Sequence, residues 1–498
     1  MWRDSQTSAQ ILERLTVLRA DDAPTHGGRV LSYVYDSGLA ELDELAAAAM
    51  RQVQSINGLD PTAFPSVARL EADVVGFTRD MLQGDGDVVG TVTTGGTESC
   101  LLAVKTARDL WRAAGGVGRA RLVVPLTAHA AFRKAAHYFD LDLDVVPVQP
   151  DTGSADAASM IERLGPDVAL VVVSAPSYPH AALDPIAEIA EAAAAQGVSC
   201  HVDAFIGGFA LPWWPDVAPW DFRVAGVTSM SADLHKYGYA PKGASVLLHR
   251  GRERRAAQYF ATTRWPGYDI VNPTMLGSRS ASSLAAAWAI IQRLGDEGYA
   301  RLVNRTLEST TALRAVVDEI EGLRVFGDPV GPLFAVVADA QSDASHRVDP
   351  HRWADAVRRR GWVLQQQPGI VQADGSVLPR STHLTVTPVT ADALDDLGAA
   401  LRGAADEVRG VPGADVSALT SALPPALLEA VQTPGGAGAA LAPEVLASLL
   451  RLAGIGDDGS LPADAASLTA MFEALPAPFA EQALIGLLGS MIEPPAPR

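Results

Sequence analysis

The spacing of apolar positions changes along the chain, and the changes divide it. In the first 85 or so residues these positions recur at helical spacing, through 11–18 and again through 39–53. A Gly-containing segment, 26–35, lies between the two, and a turn-rich stretch, 57–66, follows. From about residue 88 to 299, short and partly β-branched apolar runs alternate with longer amphipathic stretches. The runs at 121–125, 167–174, 199–203 and 244–249 read as buried strands, and 101–114, 130–139, 185–195 and 283–294 as helices. Strands alternating with helices predict an α/β layer around a largely parallel sheet. Between about 301 and 409 the order is helix, strand (333–337), helix (351–360), strand (383–387), helix, which predicts a smaller α+β domain.

The last stretch, 411–498, is rich in Ala, Leu, Pro and Gly. Amphipathic runs at 443–453 and 465–475 predict short helices, an extension packed on the main body or on a partner. A chain of 498 residues exceeds one ordinary core. The expected units are an N-terminal helical segment (1–85), a large domain (86–300), a small domain (301–410) and the helical extension (411–498).

Charge narrows the function classes. The chain has 39 basic and 58 acidic side chains, a net charge of −19, which argues against a nucleic-acid partner. Cys100 and Cys200 are its two cysteines, with neither metal-ligand spacing nor a disulfide framework, so no metal site is expected. The first residues lack a signal-peptide pattern and no apolar run reaches bilayer length. A cytoplasmic protein without a membrane anchor is the expectation.

Chemistry concentrates at the predicted strand ends. Lys236 lies in SADLHKYGYAPKG (231–243), after a histidine and in a small-residue loop. A lysine held near an aldehyde and kept partly neutral forms an imine; alone it reads as a solvated charge. Upstream, HVDAFIGG (201–208) ends a buried strand on Asp203. A buried carboxylate there would keep a pyridine nitrogen protonated, although an acid at a strand end also serves as a helix cap. TTGGTES (93–99) opens an apolar helical run, offering free backbone N–H groups, a hydroxyl and the positive end of a helix dipole to a phosphate. It has neither the P-loop lysine spacing nor GxGxxG, so a nucleotide is disfavoured. His129, in TAHAAFRKA (127–135), begins a helix where its ring could stack on a flat cofactor or simply cap the helix. Phosphate turn, stacking histidine, carboxylate and His-Lys all fall at one edge of an open α/β sheet, where ligands bind. Together they point to pyridoxal 5′-phosphate (PLP) bound as a Schiff base on Lys236.

With these residues the sequence resembles the group II PLP-dependent decarboxylases of fold type I, and within them the sphingosine-1-phosphate lyase branch. APSYPHAALDPI, PTMLGSR and GWVLQQQP add to the likeness, which runs from about residue 28 to 405. The resemblance implies that Lys236 carries PLP, Asp203 faces the pyridine nitrogen and His129 stacks on the ring. Gly96, Thr97 and His235 would hold the phosphate, with Ser278 reaching across a homodimer. Tyr35, in GRVLSYVY, and Lys242 match positions that assist catalysis in the lyase branch; otherwise they are a packed aromatic and a solvated lysine. The chain departs from that branch at Leu31-Ser32-Tyr33, which is bulkier, and at Asn57-Gly-Leu-Asp60, where a histidine is common.

Two reactions remain nearly equal at this stage. Decarboxylation of an L-amino acid is slightly ahead, and retro-aldol cleavage of a phosphorylated amino alcohol follows. Transamination would need an arginine for a substrate carboxylate, with Arg380 the open candidate. A non-catalytic scaffold would have no need of Lys236, Asp203 and His129 together.

Overall fold

The computed structural model describes residues 5–414 and 464–494. Three helices come first, α1 (Ser8–Leu18), α2 (Ala40–Val53) and α3 (Pro65–Met81). The large sheet is built from β1 (Val88–Thr93), β2 (Arg121–Pro125), β3 (Asp142–Val146), β4 (Val168–Ser174), β5 (Ser199–Asp203), β6 (Ser229–Ala232) and β7 (Ser245–Arg250). Helices α4 (Gly96–Ala113), α5 (Ala130–Phe139), α6 (Ala157–Glu162) and α7 (Ile186–Ala195) connect its first five strands. The strand order is β1-β7-β6-β5-β4-β2-β3, and β7 alone runs against the others. The largely parallel sheet predicted from the apolar runs is therefore present.

Both faces of this sheet are covered, which explains its near-continuous apolar strands. Along β4, Val171 and Val173 join one core with Ile186 and Ile189 of α7, while Leu170 and Val172 join the other with Phe132 and Val104. Because side chains alternate along a strand, one run of valines and leucines serves two cores.

Beyond β7 come α8 (Arg252–Gln258) and a hairpin of β8 (Phe260–Thr262) and β9 (Ile270–Asn272). The long α9 (Ser282–Asp318) kinks at Gly295, whose φ is 54°, and crosses the boundary expected near 300 without a break. A second sheet, ordered β10-β11-β15-β12, combines β10 (Leu323–Val325), β11 (Leu333–Ala338), β12 (Gln365–Gln367) and β15 (Ser381–Thr385). A small hairpin of β13 (Ile370–Val371) and β14 (Val377–Leu378) interrupts it, and α10 (Pro350–Arg359) and α11 (Leu394–Val408) pack on it. Last are α12 (Ala465–Ala474) and α13 (Ala477–Ile492). The helix expected at 443–453 lies outside the described residues. Among those described, no helix is long and apolar enough to cross a membrane.

Candidate active site

β1, β2, β5 and β6 all run the same way, so their C-terminal ends share one edge of the sheet. Each delivers one part of the site. β1 ends at Thr93, Thr94 and Gly95 follow, and α4 starts at Gly96 with no side chain capping its first N–H groups. Such uncapped donors at the start of an 18-residue helix form an anion site. The glycine is required: a Cβ on Gly96 would stand 2.8 Å from a carboxylate oxygen of Asp233 and 3.0 Å from the Phe205 ring.

His129 caps α5, its Nδ1 accepting the Ala131 N–H at 3.2 Å. That bond leaves the proton on Nε2 and the ring neutral; burial and the charge of Lys236 also hold its pKa below the ordinary histidine value. His235 is fixed the same way, with Nδ1 accepting from Ala244 N–H at 3.3 Å and Nε2 3.5 Å from Asp233. Lys236 places Nζ 3.2 Å from Asp233 Oδ2 and 5.0 Å from the centre of the Phe205 ring.

These groups enclose a cavity of about 340 Å³ lined by residues 94–98, His129, Phe205, Asp233, His235 and Lys236. Its size is in the range of small-molecule sites. Asp203 ends β5 fully buried and is not on the cavity wall. Its carboxylate accepts from Phe205 N–H at 3.3 Å, and desolvation lifts its pKa to about 7. A cation brought against such a group would pull the pKa back down. Asp233 Oδ1 is buried and has no hydrogen-bond partner, a further polar atom open to a ligand. An uncapped helix start, a cavity beside a lysine and a buried acid that gains from an opposite charge together fit PLP.

Beside this cavity Tyr35 and Lys242 meet, with Nζ 4.7 Å from the centre of the tyrosine ring. Nζ also donates to the carbonyls of His235, at 3.1 Å, and Tyr33, at 3.4 Å. Tyr33 holds a left-handed φ of 43°, an uncommon state for a bulky residue. Desolvation, aided by the charge of Lys236, lowers Lys242 to about 8, while burial raises the Tyr35 phenol well above its usual value. Tyr178 Oη and Ser32 Oγ both donate to Gln365 Oε1 at 2.6 Å, closing this wall.

Thus the cavity wall brings together Lys236, His129, His235, Gly96 and Thr97, with Tyr35 and Lys242 adjoining. Ser278 is elsewhere in this chain, exposed and bonded to Asn57 Nδ2 at 3.2 Å. Arg380 is ion-paired with Glu473 of α12, so it is not a free anchor for a substrate carboxylate. Sequence reasoning missed Asp233, Phe205, Glu98, Tyr178 and Gln365. All five stand inside the quoted motifs, Tyr178 in APSYPHAALDPI and Gln365 in GWVLQQQP, and for the first three a hint was available only in their spacing from Lys236, Asp203 and Gly96. No cluster of metal-ligating side chains occurs among the described residues.

Comparisons with known proteins point to the same cofactor. The family described as "Pyridoxal-dependent decarboxylase conserved domain" matches residues 32–335, and "Pyridoxal-dependent enzyme, C-terminal putative HTH domain" matches 425–490. Sphingosine-1-phosphate lyase 1 of Rattus norvegicus is 35% identical over 388 residues, 77% of this chain and 65% of that protein's length. The chain thus matches just under two thirds of the rat relative. The solved sphingosine-1-phosphate lyase of Burkholderia pseudomallei superposes with a TM-score of 0.76 at 32% identity, covering 87% of this chain and 97% of that one. Glutamate decarboxylase of Lactobacillus brevis superposes at 0.72 with 20% identity, covering 83% and 95%, a likeness of fold. The chain belongs to the pyridoxal-dependent decarboxylase family, the PLP-dependent lyases of fold type I, and within it to the sphingosine-1-phosphate lyase-like branch.

Proposed function

We propose that this chain cleaves the Cα–Cβ bond of a phosphorylated amino alcohol, with sphingosine 1-phosphate as the guiding substrate. The sequence alone puts amino-acid decarboxylation slightly ahead, and the relatives' names reverse that order. The observation that carries the choice is the meeting of Lys242 and Tyr35, with Nζ 4.7 Å from the ring centre and bonded to the His235 carbonyl at 3.1 Å, next in the chain to Lys236. Losing CO2 needs no base at a β-hydroxyl, whereas retro-aldol cleavage does.

In this reading Lys236 binds PLP, Asp203 faces its pyridine nitrogen, His129 lies against its ring, and Gly96, Thr97 and His235 hold its phosphate. PLP supplies an electron sink for the bond that breaks at the substrate's Cα. Lys242 in its neutral form takes the β-hydroxyl proton. As Cα–Cβ breaks, the O–H electron pair becomes the aldehyde C=O bond, and Cα afterwards takes up a proton. Tyr35, whose raised pKa keeps it protonated, donates a hydrogen bond to the reacting oxygen. We also read the chain as a homodimer in which Ser278 reaches the partner's site. The six large apolar residues Phe260, Trp265, Tyr268, Val271, Met275 and Leu276, all exposed within segment 260–276, support this reading.

Product analysis by mass spectrometry tests the reaction. PLP-loaded protein is incubated with sphingosine 1-phosphate and, separately, with pooled L-amino acids. Phosphoethanolamine with a long-chain aldehyde is expected; amines formed with loss of CO2 would overturn the reading in favour of decarboxylation.

A further inference from the structure

The C-terminal stretch matches a family described as a putative HTH domain, yet its charge is wrong for nucleic acid. Residues 425–490 hold one basic and seven acidic side chains, and phosphate backbones require the reverse. Its described contacts lead instead to the pocket. The α12 N-terminus is caught by the small domain, Ala466 N–H donating to Asp355 Oδ2 at 2.9 Å. Glu473 then pairs with Arg380 and accepts Gly369 N–H at 3.0 Å. Between these anchors Thr469 Oγ1 donates to Gln366 Oε1 at 2.9 Å.

Gln366 is the middle residue of β12, and its amide nitrogen also bonds Asp355 Oδ1 at 3.0 Å and the His351 carbonyl at 3.1 Å. Its neighbours point to the opposite face, as alternation along a strand requires. There Gln365 accepts from Tyr178 and Ser32, and Gln367 donates to the Pro179 carbonyl at 2.8 Å. One face of a three-residue strand is therefore gripped by the C-terminal helix, and the other holds the Ser32–Tyr178 wall beside Tyr33, Tyr35 and Lys242.

We infer that α12 is a positioning element of the active site: by fixing β12 it sets Gln365, and through Gln365 the position of Tyr178 and of segment 32–35. This rests on the lyase reading only for its effect on turnover.

The test uses the full-length holoenzyme and the variants Glu473→Ala, Gln365→Ala and their combination. Each single change is expected to lower kcat/KM for the phosphorylated amino alcohol about tenfold while leaving the visible absorbance of lysine-bound PLP intact. The double variant is expected to lose little more than either single one, since both cut the same line of contacts. Glu473→Gln, which keeps an acceptor for Gly369 N–H, is expected to recover part of the loss. Amide exchange over 30–34 and 177–183 is expected to quicken in Glu473→Ala, a readout that stands even if the chain acts on another substrate. Thr469→Val provides a milder release of the same strand should Glu473→Ala fold poorly. Parent-like exchange in these peptides, strictly additive losses, or PLP lost in step with activity would overturn the inference. Salt-sensitive binding of a random-sequence DNA duplex would overturn it too, and assign the extension to nucleic acid.

Discussion

Lys242 has what a general base near neutral pH needs: an amine brought down to about 8. Only the neutral amine accepts a proton, so its active fraction grows as pH rises through 8. The expected profile of kcat/KM therefore climbs with pH below 8 and levels above it. Lys242→Arg keeps the charge at all these pH values. It is expected to cost about 10²- to 10⁴-fold in kcat/KM and to abolish the climb, with PLP absorbance unchanged. A parent profile that is flat or falling from pH 7 to 9 would remove Lys242 from the base role. At this scale Lys236, His235, His129 and the Gly96–Thr97 turn, which line one cavity, were legible as candidates, because each chemistry-bearing type follows a strand-like run, and Asp203 was legible as the buried end of a strand. Asp233 and Phe205 were not: their place is set by Gly96 packing against them across the site, a contact between segments that spacing does not encode.

The start of α4 shows how one element can tie two others. Glu98, in its first turn, accepts Thr94 N–H at 2.6 Å, Thr94 Oγ1 at 2.7 Å and Met275 N–H at 2.6 Å. It thereby clasps the phosphate turn to the segment that leads on to Ser278. Hydrogen bonds to a charged acceptor contribute roughly 1.5–3 kcal/mol each, and a glutamine here would present an NH2 to at least one of these donors. Glu98→Gln is expected to cost about 2 kcal/mol of stability, and to weaken PLP binding measurably. Thermal unfolding and PLP titration followed by absorbance check both effects; unchanged PLP affinity would mean the clasp does not shape the turn. The sequence pattern began this helix at 101, whereas it begins at Gly96, because Gly-Thr-Glu-Ser has poor interior propensity and folds helically here under its own hydrogen bonds. β12 was invisible for a related reason. Three successive glutamines carry no apolar alternation, and side-chain partners on two faces hold them extended.

For the molecule as a whole, the alternation of strands and helices made the large sheet readable, while the division near 300 has a different form. There α9 passes from one core to the other through a kink at Gly295, with Ile290 in the first and Leu313 in the second. A continuous amphipathic helix leaves no linker to detect. Burial on this scale also governs response to acid. His201 is pushed down to about 3, and His180, His249 and His383 to about 4, chiefly by desolvation. In the unfolded chain each would protonate near 6.5. Folded, they stay neutral, so unfolding takes up four protons as pH falls below 6.5. Asp184 and Asp203 act in the opposite sense, since desolvation raises them to about 6 and about 7 and the folded state holds their protons down to the unfolded value near 3.9. Over these six groups the unfolded state is ahead by two protons near pH 5, which contributes a loss of about 3 kcal/mol per pH unit on acidification. PLP would ionise Asp203 and remove one of the folded state's protons, steepening the loss. Thermal midpoints measured from pH 6.5 down to 5 are expected to drop in the PLP-free protein and to drop more steeply in the holoenzyme. A midpoint that rises on acidification would mean that the carboxylates, and not the buried histidines, control the folded state in this range.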